Sequence, residues 1–175
     1  MISTRTTTAL LLIATLATMA CTRPDRFGGD GANGGANGAG VTDNSALTGA
    51  ADPTSPQYFS QTIGDRVLFA VDQSTLTAAG QATLDGQANW LMTNTDYLAI
   101  IEGHADEQGT REYNVALGAR RANAVREYLI SRGVEGSRLR TISYGKECPV
   151  EVCSDESCYR QNRRAVSVIT AGAGV

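Results

Sequence analysis

The stretch Glu102-Gly-His-Ala-Asp-Glu-Gln-Gly-Thr-Arg-Glu-Tyr-Asn-Val-Ala-Leu-Gly-Ala-Arg-Arg-Ala-Asn-Ala-Val-Arg-Glu-Tyr-Leu129 decides how this 175-residue chain is read. An apolar run into it predicts a strand over Tyr97–His104. Ala105 to Thr110 is small and polar and predicts a turn. The spacing beyond predicts a helix over Arg111–Arg132. Thr110 suits its N-cap, because the hydroxyl accepts from an orphan amide one turn on. Gly133 suits a left-handed C-terminal cap. Leu117, Val125 and Leu129 make a narrow apolar stripe, and Arg121 lies on it, four residues from both Leu117 and Val125. An arginine there is not explained by solubility. Either it snorkels from a core edge or it meets an anion in a groove beside Asp106.

Outward from that stretch the chain alternates strand and helix. Arg66–Val71 is rich in branched and aromatic residues and predicts a strand. Asp72-Gln-Ser-Thr75 turns the chain. Thr77 is an N-cap for a helix through about Thr93, with Leu84, Ala88 and Leu91 at helical spacing and Trp90 packing on it. Leu139–Tyr144 and Ala165–Ile169 predict the last two strands. The order βαβαββ implies an α+β two-layer sandwich, with helices on one sheet face. This domain is expected over residues 57–175.

Before it, Arg5 precedes an apolar run from Ala9 to Ala20 that ends at Cys21. The run is shorter than the ~20 residues a membrane crossing needs and reads as an export signal over 1–20. A Cys directly after it is similar to a bacterial lipoprotein signal, with Cys21 lipidated. Residues 21–56, rich in Gly, Ala and Asn, cannot bury enough apolar area to offset ordering entropy. They read as a tether of about 30–35 Å root-mean-square span and about 120 Å at full stretch. The net charge of −3 gives no electrostatic case for nucleic acid.

Strand–helix turns of such a sandwich lie at one sheet edge, so Asp72 and Asp106 can come close, with Arg121 lining the same groove. Carboxylates beside a guanidinium suit a ligand that carries both an ammonium and a carboxylate. The bland alternative is a surface ion pair between Asp106 and Arg121. A rival constellation is Glu102, His104 and Asp106, which alternate at period two and could bind a metal or do acid–base chemistry. His104 is the only histidine, though. No nucleophile sits beside a base and no phosphate loop is present, so neither an enzyme nor a cofactor is expected, and His104 reads as structural. Asn162-Arg163-Arg164 precedes the last strand. There, either an arginine adds positive charge to the groove or Asn162 holds the turn by side-chain hydrogen bonds. Among Cys148, Cys153 and Cys158 three pairings are possible. Cys153–Cys158 is favoured, because it closes a compact loop and Pro149 separates Cys148.

The run Asn114-x2-Leu117-Gly118-x2-Arg121-Ala122-x2-Val125-x3-Leu129 resembles the signature of the OmpA-like peptidoglycan-binding domain family. The preceding Gly103 to Asn114 is similar to the version carried by peptidoglycan-associated lipoproteins of the Tol-Pal system, with Gln108 and Arg111 replacing a usual Arg and Pro. The resemblance runs from about Val67 to Ile169. It implies non-covalent binding of the diaminopimelate of the peptidoglycan stem peptide. Asp106 would take the ammonium and Arg121 the carboxylate, with Asp72 and Leu117 lining the pocket; beside what the resemblance implies, the turn residues Gly109 and Thr110 could add backbone donors and Arg163 positive charge. It also implies a lipid anchor in the outer membrane, TolB and other Tol proteins as partners, and a part in envelope integrity and cell division. Two other readings remain: a wall-binding domain unconnected with Tol, and a metal-dependent hydrolase of wall material.

Overall fold

The computed structural model describes residues 49–172. The segments read as export signal and tether, with Cys21, lie outside the described residues as far as residue 48. In chain order the elements are a short helix α1 (Pro56–Tyr58) that runs into a wide π-type turn (Phe59–Gly64), β1 (Arg66–Leu68), α2 (Ala78–Thr93), β2 (Tyr97–His104), α3 (Arg111–Ser131), a 3-10 turn (Gly136–Arg138), β3 (Leu139–Gly145), α4 (Glu156–Asn162) and β4 (Arg164–Ala171). The sheet order is β1-β4-β2-β3. The last strand pairs antiparallel with β1 and β2, and β2 runs parallel to β3. The result is the α+β sandwich that the strand–helix order predicts. Leu84, Ala88 and Leu91 of α2 and Ala122, Val125 and Leu129 of α3 bury against Ala99, Ile101 and Ala165.

The caps form where the residue types call for them. Thr77 accepts from the Gly80 amide at 3.1 Å and Thr110 from the Tyr113 amide at 3.2 Å. After α3, Gly133 takes φ +101°. The Val134 amide then reaches Leu129 O at 3.1 Å and the Gly133 amide reaches Ile130 O at 2.9 Å, the paired bonds of a Schellman ending. Leu129 and Val134 are both buried, so the cap also closes the core. Helix and sheet approach most closely at Gly103 and Gly118. A Cβ built on Gly103 would stand 1.8 Å from the Gly118 carbonyl oxygen, so backbone packs on backbone there.

Four sequence expectations are corrected. The first strand ends at Leu68 rather than Val71. Phe69 still donates its amide to Arg163 O at 2.9 Å, but the chain then bends, and Asp72 takes φ +55°. The last strand is longer than expected, Arg164–Ala171. The cysteine loop contains helix α4, whose residues Glu-Ser-Cys-Tyr-Arg-Gln-Asn carry no apolar stripe to reveal it. The stretch read as the end of the tether is tied to the domain: Trp90 Nε1 donates to Pro53 O at 2.6 Å, and Ser55 Oγ donates to Gly49 O at 2.6 Å. The Trp90 ring itself sits between Phe59 and Tyr97, with centroids 5.0 and 5.2 Å away.

Candidate functional site

The turn after β1 and the turn after β2 emerge at the same sheet edge, as the topology requires. Between them lies a groove of ≈ 260 Å³ lined by Val71, Asp72, Asp106, Gln108, Gly109, Tyr113, Asn114 and Leu117. A larger concavity of ≈ 340 Å³ lies against α2 and α3, at Asp85, Ala88, Asn89 and Arg132. Its charges are matched to each other, Asp85 meeting Arg132 at 2.8 Å and Tyr128 at 2.8 Å. Only the first groove combines buried charge with an apolar wall.

Asp106 is 8% exposed. Its Oδ1 accepts from the Gln108 amide at 3.3 Å, and its Oδ2 meets Arg163 Nη1 at 3.1 Å. The turn that follows is shaped by three groups. Asn114 Nδ2 donates to Gln108 O at 2.7 Å, Lys146 Nζ donates to Gly109 O at 2.7 Å, and Gly109 takes φ +90°. Thr110 caps α3 and is not a lining residue, whereas Gly109 and Leu117 are. Across the groove the Tyr113 hydroxyl donates to Asp72 Oδ1. That carboxylate, as acceptor, raises the phenol above its ordinary pKa.

Arg121 neither snorkels nor meets an acid directly. It is fully buried. Nε donates to Gln73 O at 2.8 Å, Nη1 to His104 O at 2.8 Å and Nη2 to Ala70 O at 3.1 Å. The guanidinium carbon lies 5.2 Å from the Phe69 ring centroid. Burial lowers its pKa to about 10, so it stays charged at neutral pH, and the negative Asp106 opposes that shift. The carbonyls it grips flank Asp72 on one turn and end the strand that leads to Asp106. Arg121 therefore fastens the two turns together beneath the groove, and Asp106 pairs with Arg163, not with Arg121 as the bland alternative had it.

Both readings of Asn162-Arg163-Arg164 apply. Asn162 Oδ1 accepts from the amides of Val150 and Glu151 at 2.9 and 3.2 Å, and Nδ2 donates to Glu151 O at 2.8 Å, which pins the loop. Arg163 delivers charge to Asp106. It also donates to Glu156, and the hydrogen bond to that carboxylate is the main cause of its raised pKa. A disulfide joins Cys153 and Cys158, with Cα atoms 5.9 Å apart. Glu102, His104 and Asp106 do not converge. Glu102 approaches His104 Nε2 at 3.7 Å, whereas Asp106 is turned to Arg163. Sequence reasoning missed Tyr113, Asn114 and Glu156. For Tyr113 the signal was present: an aromatic one helical turn before Leu117, on the face the groove uses.

The OmpA family model matches residues 68–164. The chain is 52% identical over 165 residues to the "Peptidoglycan-associated lipoprotein" of Rhizobium meliloti (strain 1021), covering 94% of this chain and 88% of the relative. It is 40% identical over 159 residues to the protein of that name from Pseudomonas aeruginosa, covering 89% and 92%. Among solved structures, the peptidoglycan-associated lipoprotein from Burkholderia pseudomallei superposes with a TM-score of 0.62 at 38% identity, over 69% of this chain and 98% of that one.

Proposed function

The chain belongs to the OmpA family, among its peptidoglycan-associated lipoproteins, and from that premise we propose that the groove binds peptidoglycan non-covalently at the diaminopimelate of the stem peptide. The observation that carries this reading is Asp106, a nearly buried carboxylate lining a groove that the apolar Leu117 and Val71 also line. Diaminopimelate ends in an ammonium and a carboxylate on one carbon, at the tip of an aliphatic chain. Asp106 accepts from the ammonium, with Asp72 adding negative charge at the rim. Arg121 uses three of its N–H groups on carbonyls. Fully buried beneath the groove, the guanidinium acts on the ligand carboxylate through its positive charge. Val71, Leu117 and Tyr113 flank the methylenes. The reaction is binding alone: no group here is asked to move a proton or attack a bond.

The apolar run closed by Cys21, together with the lipoprotein name of the relatives, supports a lipid anchor at the periplasmic face of the outer membrane, with the Gly-, Ala- and Asn-rich segment that follows as a tether. On this reading the protein joins outer membrane to wall, works with TolB and other Tol proteins, and supports envelope integrity and cell division. The test is co-sedimentation of the unlipidated Cys21→Ala chain with purified sacculi. Asp106→Asn keeps the shape and removes the charge, and is expected to weaken binding at least about tenfold with an unchanged circular dichroism spectrum. Undiminished binding would sink the pocket. No binding by the unsubstituted domain would shift the function toward a protein partner.

A further inference from the structure

Glu156 opens α4, and the Cys153–Cys158 disulfide straddles that opening. Its carboxylate takes both terminal nitrogens of Arg163, Oε2 from Nη1 at 3.3 Å and Oε1 from Nη2. Arg163 is 4% exposed, and it also reaches Asp106 Oδ2 through Nη1 at 3.1 Å and Phe69 O through Nε at 3.3 Å. One buried cation is thus shared by two carboxylates, one in the groove and one at the surface.

The sharing has an electrostatic consequence. Guanidinium prefers to present two parallel donors to a carboxylate. Left alone with Asp106 it would take that arrangement and form a neutral, closed pair in the groove floor. Glu156 occupies the fork instead. Asp106 is left with a single contact to Arg163, and the three groups together carry one net negative charge. We infer that Glu156, clamped by the Cys153–Cys158 disulfide, is a positioning residue that holds Arg163 in a two-carboxylate bridge and so keeps Asp106 available to an ammonium ligand. This inference rests on the proposed function above and names what tunes its site. Glu156 itself is largely exposed. Such a partner contributes little to stability, so its removal changes the site without changing the fold.

The experiment uses the full-length chain and purified diaminopimelate-type sacculi. Glu156→Gln is expected to weaken binding about fivefold with unchanged thermal unfolding, and Glu156→Asp to recover most of the loss. Cys153→Ser with Cys158→Ser is expected to weaken binding by a similar factor. Adding Glu156→Gln to that pair should cause no further loss, as for groups acting in one unit. A readout free of peptidoglycan accompanies it: the carboxyl carbon signal of Asp106 in the nuclear magnetic resonance spectrum. This should move in Glu156→Gln and stay in place in the surface control Glu112→Gln. Wild-type binding by Glu156→Gln with an unmoved Asp106 signal overturns the inference, and additive losses overturn the clamp. If the unsubstituted chain fails to bind sacculi while the Asp106 signal moves, the proposed function falls and the bridge stands.

Discussion

At the scale of single residues, the buried polar groups divide by what their partners allow. Arg138 gives its guanidinium to the carbonyls of Leu91, Asn94 and Tyr97, closing the end of α2 against the start of β2. Arg121 does the same beneath the groove. His104 differs: it is 2% exposed, it stacks on Tyr144 with ring centroids 5.4 Å apart, and neither ring nitrogen has a hydrogen-bond partner among the described residues. Burial lowers its pKa below the ordinary histidine value, and Glu102 opposes that shift without reversing it. The sign follows. As pH falls through about 6.5 the unfolded chain takes up a proton there that the folded chain refuses, so stability falls. His104→Phe keeps the stacking and removes the proton site. Its urea midpoint is expected to drop less than that of the wild type between about pH 7.5 and about pH 5.5. Equal drops would assign the acid sensitivity elsewhere. That His104 is structural was readable from its being the sole histidine at a strand end. That Arg121 meets carbonyls was not, because Ala70 and Gln73 lie 51 and 48 residues away.

At the scale of elements, the helix–sheet contact is set by two residues without side chains. Gly118 of α3 faces Gly103 of β2, and a Cβ on Gly118 would also stand 2.4 Å from Ser143 Oγ. Gly103→Ala forces helix and strand apart, breaking the close packing of α3 on β2, the strand that leads to Asp106. Overpacking of this kind costs about 3 kcal/mol. Chemical denaturation should register that loss, together with weaker sacculus binding; an unchanged midpoint would mean the helix shifts freely. The elements themselves were legible where capping residues and periodicity agree, as at Thr77, Thr110 and Gly133. They were illegible at α4. A seven-residue helix with charged and polar positions offers no period to read, and its place is set by Asn162, Arg163 and the disulfide.

At the scale of the whole molecule, the domain begins before its first strand. Trp90 is fixed by rings on two sides and by the Pro53 carbonyl. A chain starting at residue 57 leaves that indole N–H without its partner, and is expected to be about 1 kcal/mol less stable than one starting at residue 49. Thermal unfolding of the two would decide, and equal stability would make residues 49–56 part of the tether after all. The sequence by itself determined the strand–helix order, the helix caps, the family and the pair of turns that carry Asp72 and Asp106. Each of these rests on local spacing or on short motifs, which survive in one dimension. Only the tertiary structure decided that Arg163, 57 residues from Asp106, is its ion-pair partner, that Arg121 braces the turns from below, and that Glu156 shares the cation. Those pairings depend on β4 lying between β1 and β2. That strand brings the end of the chain to the groove, and no local pattern in the residues encodes where it inserts.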